Sequence, residues 1–251
     1  MRVGILTSGG DCQALNATMR GLALTLYRNV KDVEIIGFID GYKGLMYEKY
    51  KKMKPKDFYD ILNVGGSILG NSRCPFKRMR IIENGFDKVK AMKNTYKKLE
   101  LDCLVVLGGN GSIKSANMLS QEGLNVIALP KTIDNDAWGT DYTFGYSSAT
   151  AIATRYLDEI KTTAASHSRV FVIEVMGHKV GHICLSAGIA AGADVILLPE
   201  IPYDIKSVVK ALDNRSKQGK GFSIIAVAEG AISKEDAALP KKKRKEKIAQ
   251  R

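Results

Sequence analysis

Asp134 and Asp136 stand two residues apart in LPKTIDNDAWGTDYTFG, just after the apolar run that ends at Leu129. In such a pair one carboxylate can accept a hydroxyl proton while the other holds a cation. Thr132 and Asn135 offer hydrogen bonds to fix that geometry. Three glycine-bearing segments go with them: TSGGDCQALN (Thr7 to Asn16), GGSILGNSRCP (Gly65 to Pro75) and LGGNGS (Leu107 to Ser112). Glycines at such places let backbone N–H groups approach an anion. The second segment also carries Arg73, a residue type that stabilises charge on a transferring phosphoryl group. None of these is diagnostic alone, because ordinary strand-to-helix turns use the same residues. GGNGS lacks the Lys-Ser/Thr of a P-loop, and Lys114 stands where G-x-G-x-x-G needs its last glycine. What remains is a nest of N–H groups opening a helix, suited to phosphate, with Asn110 where a magnesium enzyme would place a carboxylate.

The elements that must position these segments are legible in the hydrophobic pattern. The apolar runs RVGILT, VEIIGFI, DCLVVLGG and LNVIALP alternate with the amphipathic stretches ALNATMRGLALTLY, FDKVKAMKNTYKKLE and SIKSANMLSQEG. Strands without polar alternation, separated by helices, predict a parallel sheet covered on both faces. Ligands bind beyond the carboxyl ends of such strands, which is where these segments fall. A second series follows Gly139, with strands in RVFVIEVM, ADVILLPE and FSIIAVAE and helices in SSATAIATRYLDEIKTT and IKSVVKALDNRSKQG. The expectation is two Rossmann-like three-layer α/β domains with mostly parallel sheets. They would occupy residues 1–139 and 140–236, followed by a basic tail at 237–251.

Composition narrows the function. No apolar stretch reaches the roughly 18–20 residues of a membrane span, and Met1-Arg2 runs straight into a strand, so a cytoplasmic setting is expected. Cys12, Cys74, Cys103 and Cys184 are too scattered for a disulfide frame or a zinc site. Half of the net charge of +12 sits in PKKKRKEKIAQR, Pro240 to Arg251. With no nucleic-acid recognition fold beside it, that run reads as a solvated helix or loop after Pro240.

Taken in order, TSGGD, GGSxLGxSR, GGNGS, PKTIDNDxxGTDYTFG, ASHxRVFVIEVMG and AAGAD resemble the 6-phosphofructokinase family, up to about Glu229. The family transfers a terminal phosphoryl group to the 1-hydroxyl of fructose 6-phosphate. The resemblance implies that Asp134 is the general base, that Thr132 orients it and that Arg73 stabilises the transferring phosphate. It implies a donor site of Gly10, Tyr42, Arg73, Cys74, Gly109, Asn110, Gly111, Ser112 and Lys131, with Mg²⁺ near Asn110 and Asp136. Thr132, Asp134, Met176, Gly177, His178 and Glu229 would meet the sugar phosphate. Arg169 would reach that of a neighbouring subunit, which implies a homodimer or homotetramer.

The chain departs from the family pattern at several positions. Asn110 replaces an aspartate that binds magnesium in many members, and His178 stands where arginine is common. Gly111 is the choice that accompanies ATP, whereas Lys131 is the one that accompanies pyrophosphate. Ser115 replaces a glycine common against adenine. ATP is the expected donor; a pyrophosphate-dependent enzyme and a catalytically silent binding or assembly protein are the alternatives. Arg20 matches an effector-site arginine, but Lys161 replaces another. The family continues past Arg251 with a segment rich in Arg, His and Gly, so a truncated form with impaired activity is expected.

Overall fold

Along the first three central strands, successive side chains enter two different cores. Val3 and Ile5, with Cys103, Val105 and Leu107, face Leu15, Met19 and Ala23 on one side of the sheet. Leu6, Leu104 and Val106 face Tyr42, Leu45, Met92, Ala116 and Leu119 on the other. Each such side chain contributes about 1.5–3 kcal/mol on burial, so polar alternation would be costly here. A computed structural model describes residues 1–249. The first unit, Met1–Gly145, runs β1 (Arg2–Ser8), α1 (Ala14–Asn29), β2 (Glu34–Phe38), α2 (Tyr42–Met46), β3 (Tyr50–Met53), α3 (Lys88–Lys98), β4 (Cys103–Gly108), α4 (Asn110–Gln121), β5 (Val126–Thr132) and β6 (Phe144–Gly145).

Its sheet has the order β3-β2-β1-β4-β5-β6, parallel throughout except for β3 against β2. The register matters most for function. Ser8 lies beside Gly108, and Gly108 beside Pro130, so β1 and β4 end level while β5 runs two residues further, to Lys131 and Thr132. β3 had no apolar period to announce it. It is an edge strand whose Tyr50, Lys51 and Lys52 are exposed, and lysine on an edge resists pairing with another chain. The sequence reading divides the chain at Gly139, whereas the two units divide at Gly145. The intervening residues belong with the first unit because Phe144 and Gly145 pair with Lys131 and Thr132.

The second unit begins with α5 (Tyr146–His167) and continues through β7 (Val170–Val175), α6 (His182–Ala190), β8 (Val195–Leu197), α7 (Ile205–Lys217), β9 (Ser223–Ala228), α8 (Lys234–Ala237) and α9 (Lys241–Ala249). Its three parallel strands take the order β7-β9-β8. Asp194 joins strand to helix there, pairing with Arg215 at 2.7 Å and accepting from the Ile224 N–H at 2.9 Å. The expected basic tail is largely α9, and its Lys247 meets the buried carboxylate of Asp236 at 2.6 Å. Gln250 and Arg251 lie outside the described residues. Among the described residues no helix is long and apolar enough to cross a membrane, and all four cysteines are free thiols.

One buried amide fastens the loop at 64–68 to α1. Asn16 is fully buried; its Nδ2 donates to the carbonyls of Val64 at 2.8 Å and Gly65 at 3.3 Å, and its Oδ1 accepts from the Ile68 N–H at 2.9 Å. Asn16→Ala is expected to lose about 1–3 kcal/mol of unfolding free energy. Urea unfolding should show a lower midpoint at unchanged slope, and an unchanged midpoint would refute the assignment.

Candidate active site

The row at Ser8 and Gly108 places two of the glycine-bearing segments side by side, and Ser72 brings in the third. Ser72 bridges Ser8, accepts from the Gly9 N–H at 3.1 Å and donates its hydroxyl to the Asp40 carbonyl at 2.5 Å. Gly9 has φ 92°, in the left-handed region that favours glycine. A Cβ there would sit 3.7 Å from Lys131 Nζ and 3.8 Å from Ser112 Oγ, while one at Gly10 would sit 4.0 Å from Arg73 Nη2. Gly9, Gly10, Arg73, Ser112 and Lys131 therefore share one small space.

Two of the expected donor-site residues are buried beneath that space. Lys131 is only 4% exposed and its ammonium donates to the Gly10 carbonyl. Burial holds its pKa below the usual lysine range, with Arg73 adding to the effect; Cys12, Asp11 and Asp134 oppose it. Tyr42 is fully buried and donates to the Ser112 carbonyl at 2.8 Å; burial pushes its phenol up. These contacts hold the start of α4 in place. That helix has no side-chain cap and no acid in its first turn, and Gly111 is exposed. Its positive end and orphan N–H groups suit a phosphate.

Arg73 and Cys74 also line a cavity of about 230 Å³ with Met46, Tyr47, Pro75 and Met79. Lys88 braces its wall by donating to the carbonyls of Arg78 at 3.2 Å and Ile81 at 3.1 Å, and Phe86 stacks on Tyr47 at 5.1 Å. Apolar surface with a basic rim suits a flat, anionic organic group.

The carboxylates are carried by a braced loop. Thr132 Oγ1 accepts from the Asp134 N–H at 3.2 Å, and the Thr132 carbonyl accepts from Thr143 Oγ1 at 2.7 Å. Asn135 adopts φ 55°, a region asparagine tolerates; its Oδ1 accepts from the Thr143 N–H at 2.9 Å and its Nδ2 donates to the Asp141 carbonyl at 3.1 Å. Trp138, at the outer part of this loop, is 99% exposed. The loop returns at Gly145 against Cys12, where a Cβ would come within 2.8 Å of the sulfur; burial raises the Cys12 thiol pKa.

Asn110 Nδ2 donates to Asp136 Oδ2 at 3.1 Å. The amide therefore orients the carboxylate and leaves its own Oδ1 for another partner. Among the described residues no group of three or more His, Cys, Asp or Glu could cage a metal. One carboxylate and one amide oxygen do fit Mg²⁺ that arrives with phosphates, since this ion keeps several waters and takes few protein ligands.

In the second unit, Met176, Gly177 and His178 follow β7 and Glu229 follows β9, its neighbour. The Glu229 N–H donates to the Val175 carbonyl at 2.9 Å, and a Cβ at Gly230 would collide with the His178 carbonyl at 2.5 Å. Met176, His178 and Glu229 are exposed together at the carboxyl end of the sheet. Arg169 precedes β7, at the opposite end of the strand, about 20 Å away at 3.3 Å per residue.

The structure thus gathers Gly10, Tyr42, Arg73, Cys74, Gly109 to Ser112, Lys131, Thr132, Asp134 and Asp136 within the first unit. Met176 to His178 and Glu229 gather in the second, with Arg169 at the other end of β7 from them. Ser115 is buried and donates to the Gly111 carbonyl at 3.2 Å. Arg20 donates to the Tyr59 carbonyl at 3.2 Å and Lys161 to that of Ala191. Sequence reasoning missed Ser72 and Thr143, whose positions within the quoted motifs were the only available signal.

Comparison with known proteins gives the family. Residues 2–251 match the family model described as Phosphofructokinase. The chain is 54% identical to an ATP-dependent 6-phosphofructokinase of Spirochaeta thermophila, over 95% of this chain and 66% of that protein. It is 48% identical to an ATP-dependent 6-phosphofructokinase of Propionibacterium freudenreichii, over 95% of this chain and 64% of that one. The chain therefore spans about two thirds of the length of these curated relatives. The phosphofructokinase structure of Saccharomyces cerevisiae superposes with a TM-score of 0.85 at 30% identity, over 99% of this chain and 36% of that one.

The Asn110–Asp136 contact makes the fit to an ion testable. Asn110→Asp would put two carboxylates at hydrogen-bond distance, raising the pKa of one. The variant should lose stability as pH rises above about 4, where unfolded aspartates ionise, and regain it with a shared proton at lower pH. Thermal melts at pH 7 should show a larger upward shift with MgCl₂ for the variant than for the wild type. An equal shift would mean that the two side chains do not share an ion.

Proposed function

The chain belongs to the phosphofructokinase family, and on that premise we propose that the protein transfers the γ-phosphoryl group of ATP to the 1-hydroxyl of fructose 6-phosphate. The supporting observation is the register of β1, β4 and β5, which sets the Gly9–Gly10 turn, the start of α4, Arg73 and Lys131 around one space, with the Asp134–Asp136 loop following β5. Phosphoryl transfer needs positioning and charge neutralisation more than covalent help, and this set supplies both.

In the mechanism we propose, the start of α4 and the Gly9–Gly10 turn hold the donor phosphates, and Arg73 balances charge as it moves to the transferring group. Asp134, held through Thr132, takes the proton of the sugar hydroxyl. Asp136, oriented by Asn110, would hold Mg²⁺, which neutralises phosphate charge when bound. The cavity lined by Met46, Tyr47 and Met79 favours a nucleotide over pyrophosphate, which would leave it unused. Met176, Gly177, His178 and Glu229 form the sugar-phosphate part of the reading. The distance of Arg169 from them supports a role toward another subunit of a homodimer or homotetramer. A cytoplasmic, glycolytic setting belongs to the same reading.

Incubation with fructose 6-phosphate and either ATP-Mg or pyrophosphate-Mg tests the donor, with bisphosphate expected from ATP. Formation from pyrophosphate alone would reverse the donor assignment, and failure with both in a folded protein would reject the transfer. Asp134→Asn should lower kcat by about 10²–10⁴ while leaving ATP-Mg binding within a few-fold. Lys131 adds a pH dependence: its charge helps hold phosphates and, with a lowered pKa, is lost before the ordinary lysine value of about 10.5. Donor affinity should accordingly fall as pH rises below that value, and Lys131→Arg should keep it flat over the same range.

A further inference from the structure

Asn71 is held between two pinned residues. The Gly70 carbonyl accepts from Thr7 Oγ1 at 2.8 Å, and the Gly70 N–H donates to the Ser67 carbonyl at 3.0 Å. On the other side Ser72 is fixed by its bridge to Ser8, by Gly9 and by Asp40. The side chain between them has both amide atoms buried, and neither Nδ2 nor Oδ1 has a partner among the described residues. A buried amide without hydrogen bonds is costly and uncommon, and it persists where its surroundings over-determine it.

Its chain neighbour supplies the complement. Side chains alternate along an extended segment, so around the bridging Ser72 both Asn71 and Arg73 project away from the side on which Ser72 meets Asp40. Arg73 is exposed, its Nη2 lies toward Gly10, and among the described residues it makes no hydrogen bond or ion pair. An acceptor without a donor and a five-donor guanidinium without an acceptor therefore stand two residues apart on one side of the segment.

From this juxtaposition we infer that Asn71 is a positioning residue for Arg73: when a phosphoryl donor draws the guanidinium inward, Asn71 Oδ1 accepts one of its N–H groups. The planar fork can hold a phosphate along one edge and the amide along another. The orphan amide raises the energy of the donor-free state and is satisfied in the donor-bound one, so donor binding gains from it. This rests on the donor site proposed above.

Thermal melts and ATP-Mg titrations of the whole chain test the pairing with Asn71→Leu and Asn71→Asp. Leucine removes the unpaired amide at similar volume, so without donor the variant should melt roughly 2–4 °C above the wild type. Its ATP-Mg dissociation constant should nevertheless rise about tenfold, a combination that a purely structural residue would not produce. Asn71→Asp keeps the acceptor and should keep the donor-dependent shift, even from a lower starting midpoint. A donor-free Asn71→Leu midpoint below the wild type would overturn the inference, because the amide would then have a partner at rest. ATP-Mg affinity unchanged within twofold in that variant would also overturn it. A wild-type chain that responds to neither ATP-Mg nor pyrophosphate-Mg would overturn the donor site itself, and the pairing with it.

Discussion

The register of three neighbouring parallel strands, β1, β4 and β5, is the constraint on which the rest of the first unit depends. Ser8, Gly108 and Pro130 occupy one row. The chain therefore leaves β1 and β4 side by side, and Lys131, one residue beyond that row on β5, comes close to the Gly9–Gly10 turn. A slip of one residue in any strand would exchange its two core faces and move its loop out of the row. The two apolar cores on either side of the sheet hold that register, which links packing energy directly to the geometry of the site.

The cations near the row divide into fixed and free ones. Lys131 is buried under the Gly9–Gly10 turn and bonded to its carbonyl, whereas Arg73 is exposed and reaches the same turn from outside. A fixed charge shapes the loop and attracts phosphate at no cost in reorganisation. A free guanidinium can follow charge as it shifts. The acids are also positioned by their neighbours: Asp136 accepts from the Asn110 amide, and the Asp134 N–H donates to Thr132 Oγ1.

Much of this arrangement was legible in the sequence. Continuous Val, Ile and Leu runs announced strands buried on both faces, and the motif glycines announced where those strands end. β3 was not legible because an edge strand carrying Lys51 and Lys52 has no apolar period to read. The unit boundary at Gly145 was hidden for a related reason, since the two-residue β6 is defined by its pairing with Lys131 and Thr132. At the site, residue types pointed to Arg73 and the aspartates. The bridge through Ser72, the brace through Thr143 and the direction of the Asn110 amide depend on contacts between distant segments. No local spacing encodes such contacts.

The loop that carries Asp134 and Asp136 also holds the chain's single tryptophan, and Trp138 stands almost wholly in solvent there. Indole emission from these 251 residues is therefore emission from this loop alone, without a background from either core. A shift in its wavelength or its access to a soluble quencher reports the state of the carboxylate loop directly. A side chain almost outside the packing is thus the one that makes the loop optically visible.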